Sequence, residues 1–179
     1  MFGSDKLKTF KKQTGIIARS RFLKSLTAME RYEFLQLCHS RSYKEDEYIY
    51  YQGDPGTGMY FIEEGRVQLV VESSEASDDD LTYDLEAPED FGSLSIGYEL
   101  RRMSSVRCLT DCTLLGFFKP DFETLKKRHP LIAVKFMETL AKIAMRQLEM
   151  FTDEVNHSSG VSKAFALRFE SYYHNQLEA

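Results

Sequence analysis

Residues 52–67 read QGDPGTGMYFIEEGRV, and two features of that stretch decide the fold. Gly53-Asp54-Pro55-Gly56 is a turn sequence, because glycine tolerates positive φ and proline pre-sets its own φ. Met59-Tyr60-Phe61-Ile62 is a short apolar run, closed by Glu64-Gly65, and such a run bounded by turn signals reads as a buried strand. Segments of the same kind lie on either side: EYIYYQ (47–52), RVQLVVE (66–72), LTYDLEA (81–87), SSVRCLT (104–110) and CTLLGFF (112–118). Many short strands at this spacing predict a sandwich or barrel over about residues 42–118. SSEASDDD (73–80) reads as a hairpin loop and lacks the alternating acidic order of a calcium loop.

The flanks have a helical period. Ile17, Phe22, Leu23, Leu26, Met29, Phe34 and Leu35 form an apolar stripe that continues back to Leu7 and Phe10, with Gly15 expected to separate two helices. Lys6, Lys8, Lys11 and Lys12 read as a solvated helix face, with docking onto the acidic remainder of the chain as the other outlet. After Pro120, Leu131, Val134, Met137, Leu140, Ile143, Ala144, Leu148, Phe151 and Val155 predict a long amphipathic helix over 130–155. NHSSG breaks it. Phe165, Phe169, Tyr172 and Leu177 then mark a short helical tail that reads as a packing latch.

Composition narrows the function. The 179-residue chain is 42% hydrophobic with a formal net charge of −5, enough for one core and the wrong sign for gripping a phosphate backbone. Cys38, Cys108 and Cys112 are an odd set without a C-x-x-C pair, which suggests a reducing, cytoplasmic setting and no common zinc motif. No apolar run reaches the length of a membrane span, no secretion signal is read, and Phe2 stands where myristoylation needs glycine. His39, His129, His157 and His174 fall outside the strand segments, so the clustered histidines of a metal-dependent barrel enzyme are missing. No nucleophile elbow, Walker A or H-E-x-x-H string is present, and an enzyme is not expected. From Asn156 to Ala179 there are too few residues for a helix-turn-helix, and only Lys163 and Arg168 accompany the histidines there as cations.

QGDP followed by MYFIEEGRV resembles the strand-turn-strand signature of the cyclic nucleotide-binding domain family, found in catabolite activators, kinase regulatory subunits and gated channels. That family's phosphate-binding cassette runs leucine, two residues, glycine, two residues, Phe-Gly-Glu, then Pro-Arg-Ser/Ala-Ala-Thr after a short helix. Leu85 to Ile96 and Arg101 to Val106 are similar to it, with Pro88, Ser93 and Arg101 replacing the glycine, the acid and the proline. The resemblance spans about residues 22–155. It implies a mainly β fold, a jelly-roll-like antiparallel β-roll with N-terminal helices, a B helix at 120–129 and a C helix at 130–155. A 1–21 helical extension and a 156–179 tail lie outside it.

By the same resemblance the ligand is cAMP, cGMP or a related small anion, with no further cofactor, metal or catalytic residue. The cassette is Gly92, Ser93, Leu94, Ser95, Arg102, Met103 and Ser104. Backbone amides at a short helix's start and a forked guanidinium at Arg102 suit one phosphodiester charge. Where the family has a glutamate for the ribose hydroxyl, Ser93 is neutral. A neutral hydrogen bond is worth about 0.5–1.5 kcal/mol against about 1.5–3 for a charged one, which predicts about tenfold weaker binding or more.

Three alternatives stay open on the residues alone. Ser93 reads as a helix N-cap or as a ligand contact. Arg102 holds an anion or pairs with Glu99. The acidic residues Asp78, Asp79, Asp80, Asp84, Glu86, Glu89 and Asp90 face the pocket or solvent. The functional expectation is a regulatory module signalling by helix repacking, a homodimer through the 130–155 helix with a separate effector protein. The alternative is a protein-interaction scaffold that keeps the roll without the nucleotide.

Overall fold

The computed structural model describes residues 15, 17–71, 81–98 and 100–168. Its centre is β3 (Gly58–Glu64), the GMYFIEE segment, buried at every position but the last. An apolar run without alternation demands cover on both faces. One face looks into a roll of two four-stranded antiparallel sheets, and the other carries helices.

The first sheet runs β1 (His39–Tyr43), β8 (Cys112–Phe118), β3, β6 (Asp90–Phe91). The second runs β2 (Tyr48–Tyr50), β7 (Ser105–Cys108), β4 (Arg66–Val71), β5 (Leu81–Glu86). All six strand segments expected from the sequence are present. Two strands carried no such signal. β1 is polar and largely exposed, and exists because it pairs with β8 from His39↔Gly116 to Tyr43↔Cys112. It extends the roll back from residue 42 to 39 and brings His39 into a strand, where Nε2 meets Asp121 Oδ1 at 2.9 Å. β6 is two residues held against β3 through Tyr60↔Phe91. Between the sheets, Tyr60, Ile62, Val67, Phe91, Val106, Cys108, Cys112 and Leu114 form the core.

On the other face, helix α1 (Ala28–Leu35) sets Phe34 against Phe61 and Phe117. A capping box starts it, with Thr27 and Glu30 exchanging side-chain and backbone bonds. Gly15 and residues 17–19 are helical and this stretch ends at Ser20, whose Oγ accepts from Leu23 N, while the segment on the other side of the break expected at Gly15 lies outside the described residues. α2 (Lys119–Arg128) follows β8, and after His129 α3 (Pro130–Ser159) begins. Of the apolar stripe expected along α3, Leu140 is buried, but the face turned inward before it is made by other residues. Ile132, Ala133 and Phe136 are buried, while Leu131, Val134 and Met137 are exposed. α3 also outruns its expected end at residue 155, because Asn156-His157-Ser158 stays helical until Gly160 adopts φ 86°.

The molecule divides into two compact units between Thr139 and Leu140. The second holds the distal part of α3 and a further helical stretch at 161–168. Phe169, Tyr172 and Leu177 of the expected latch, the basic segment before Gly15, and the 73–80 loop lie outside the described residues.

Candidate functional site

The turn at 53–56 is zipped to the segment that carries the arginines. Gly53, at φ 84°, donates from N to Arg102 O at 2.8 Å, Arg102 N donates to Asp54 O at 2.9 Å, and Gly56 N donates to Leu100 O at 2.9 Å. Asp54 Oδ2 accepts from Tyr51 N at 2.9 Å and shapes the turn from within. Arg101 is exposed and gives Nη1 to Gly53 O at 2.7 Å, bracing the turn. The Gly-Asp-Pro-Gly motif therefore fixes the backbone of Arg102.

Arg102 turns inward and is only 6% exposed. Its Nη2 donates to Gly58 O at 2.7 Å, its Nη1 to Ser95 Oγ at 3.1 Å and to Gly92 O at 3.5 Å. Its Nε has no hydrogen-bond partner among the described residues. No carboxylate among the described residues pairs with it. Glu99, the acid considered from sequence, lies outside them. Tyr50, which nothing in the sequence singled out, lays its ring on the guanidinium with Cζ 4.1 Å from the centroid.

Gly92 stands where no other residue fits. Its φ is 79°, and a Cβ there would lie 2.5 Å from Arg102 Nη1 and 3.1 Å from Gly58 O. Gly92 is also the N-cap of the short 3-10 helix Ser93–Ile96, so Ser93 is not the cap that its type suggested but the first helical residue. Ser95 is buried and bonds Arg102, while Leu94 is half-buried. Past the arginine, Met103 is 80% exposed and Ser104 is buried. The structure thus gathers Gly92, Ser95 and Arg102 into one cluster, adds Tyr50 and Gly58, and leaves Met103 facing outward.

The nearby acids do not fill the cluster. Glu89 Oε2 accepts from Glu86 N, and Asp84 Oδ1 accepts from Gln68 Nε2, both at 2.9 Å. Asp90 is partly buried, and desolvation, aided by Glu89, pushes its carboxyl up to about 6. Asp78, Asp79 and Asp80 lie outside the described residues. No group of three or more potential metal ligands is found among the described residues, and no helix among them is long and apolar enough to cross a membrane.

A buried guanidinium held by neutral acceptors is suited to receive one oxyanion. The family profile of the cyclic nucleotide-binding domain matches residues 40–129. The chain is 30% identical over 129 residues to the cyclic AMP receptor protein of Thermus thermophilus, covering 71% of this chain and 58% of that protein. It is 24% identical over 115 residues to human cGMP-dependent protein kinase 2, covering 64% of this chain and 14% of the kinase. The chain thus spans little more than half of the first relative and a small part of the second. The crystal structure of Thermus thermophilus catabolite activator protein superposes with a TM-score of 0.63 at 28% identity, covering 75% of this chain and 62% of that one.

Proposed function

The chain belongs to the cyclic nucleotide-binding domain family, and from that premise we propose that it is a non-catalytic regulatory module whose Arg102 takes the phosphate of cAMP, cGMP or a related small anion. One observation carries this reading. Arg102 is a buried cation with no acidic partner among the described residues, and an uncompensated buried charge costs several kcal/mol, of which a ligand phosphate would recover a large part. Ser93, at the helix start beside Gly92, offers a neutral hydroxyl where the family has an acid, so the affinity expected is weak.

Calorimetric titration of the full chain with cAMP and cGMP tests it. Micromolar or weaker binding that strengthens in Ser93→Glu supports the reading, and nanomolar affinity in the wild type contradicts the weak ribose contact. Absence of binding by both nucleotides favours the scaffold reading. For that reading the specific observation is that Gly58 O and Ser95 Oγ already occupy two of the guanidinium's ends. We also propose a cytoplasmic homodimer joined along the exposed apolar side of α3 and answering to a separate effector protein, with occupancy relayed by repacking of the helices on β3 and β8.

A further inference from the structure

Tyr50 is the last residue of β2, and its ring is itself held in place. The rings of Tyr60 and Phe91 lie 6.5 and 6.0 Å from it, and these two stack on each other at 5.3 Å. Against this aromatic wall the guanidinium of Arg102 lies with Cζ 4.1 Å from the Tyr50 centroid. Burial raises the Tyr50 hydroxyl pKa and the Arg102 charge opposes the rise, so the two groups share one electrostatic environment. The hydrogen bonds to Gly58 O, Ser95 Oγ and Gly92 O all leave from the two terminal nitrogens. They anchor one end of the guanidinium. The nitrogen left without a partner is Nε, itself buried, and the edge it forms with Nη2 is the one that matches an oxyanion bidentately. That edge is presented in a fixed direction only if the plane of the group is fixed too, and a ring on its face does this while attracting the charge.

We propose that Tyr50 is a positioning residue of the anion site: its ring clamps the guanidinium plane of Arg102, aims the Nε edge at the incoming oxyanion and thereby sets the affinity. This rests on the reading of Arg102 as the anion-binding residue. The attraction comes from the ring's quadrupole, so it follows the ring's electron density rather than its hydroxyl or its shape.

The test uses the full chain with four residues at position 50: tyrosine, Tyr50→Phe, Tyr50→Leu and 3,4,5-trifluorophenylalanine. Titration with cAMP, cGMP and inorganic phosphate gives the affinity, and the Arg102 Nε–Hε resonance in nitrogen-edited NMR gives the order of the guanidinium without ligand. Tyr50→Phe is expected to bind within about twofold of wild type, and the trifluorinated ring and Tyr50→Leu about tenfold more weakly. The Nε–Hε line should be sharp in the first two proteins and broadened in the last two. The trifluorinated ring keeps the shape and so guards against a folding defect in Tyr50→Leu. Equal affinity and an equal Nε–Hε line for phenylalanine and its trifluorinated form overturn the proposal, as does a broadened line with unchanged affinity. If the wild type binds none of the three probes, the anion-site reading fails. The positioning role falls with it, and the NMR series then decides only whether the ring orders the guanidinium, no change on fluorination overturning that as well.

Discussion

Arg102 ties its own segment to the turn at 53–56 and to the start of the cassette helix. Three turn residues, Gly53, Asp54 and Gly56, bond the 100–102 segment that carries it, Gly58 accepts from it through its carbonyl, and Gly92 lacks a side chain where the guanidinium passes. Arg102→Lys removes the planar fork and is expected to weaken anion binding about tenfold or more in calorimetry. Arg101→Lys should do less, since Arg101 braces Gly53 from the surface; a larger loss there would mean that the anion contacts belong to Arg101. Asp90 supplies a second prediction. Its folded carboxyl is pushed up to about 6, above the unfolded value of about 3.9. The folded state therefore holds the proton more tightly, and that stabilisation is fully present below about pH 4 and lost as pH rises through about 6. Asp90→Asn, which stays neutral, should be more stable than wild type by about 1–3 kcal/mol in urea denaturation at pH 7.5 and equal to it near pH 4.

Among the elements, the start of α3 joins the helices to the roll. Phe136 has ring neighbours on three elements and on the segment before α1: Phe34 at 5.7 Å, Phe117 at 5.4 Å, Phe122 at 5.5 Å and Phe22 at 4.9 Å. Around it, Lys135 Nζ bonds both carboxylate oxygens of Glu30 at 2.7 and 2.8 Å, and His129 Nε2 lies 3.6 Å from Glu33. α1, α2 and the first turns of α3 thus share one aromatic centre, and one cannot shift without disturbing the others. Phe136→Ala should cost about 3–5 kcal/mol in denaturant unfolding. It should also reduce any helix rearrangement that ligand addition produces, read by hydrogen exchange across residues 119–139. Loss of stability with an unchanged ligand response would separate packing from signalling and count against the repacking proposal.

At the scale of the molecule, α3 presents apolar residues that its own packing leaves exposed. Leu131 and Val134 stand out from the first unit, and in the second Met145, Leu148 and Phe151 are exposed, Phe151 at 62%. Within the second unit, the spacing of Met145, Leu148 and Phe151 suits pairing of two helices. Phe151→Glu is expected to convert a dimer to a monomer in light scattering at tens of micromolar, with the circular dichroism of the roll intact. A monomeric wild type at that concentration contradicts the dimer, and a dimer that survives Phe151→Glu moves the interface elsewhere.

Local pattern determined the strands, the turns and the helical flanks, because apolar period and glycine placement act over a few neighbouring residues. QGDPG and MYFIEEG announced a turn and a doubly buried strand, and Gly92 and Arg102 stood at recognisable positions. What the tertiary structure alone decided depends on residues far apart in sequence. The polar strand β1 exists only through β8. The buried side of α3 is Ile132, Ala133 and Phe136 rather than Leu131 and Val134, because both sides are apolar and the roll selects one. Ser93 yields the cap to Gly92, where a left-handed backbone and the approach of Arg102 both call for glycine. Tyr50 meets Arg102 across 52 positions of sequence, and a cation on an aromatic face leaves no spacing or motif by which a linear reading could find it.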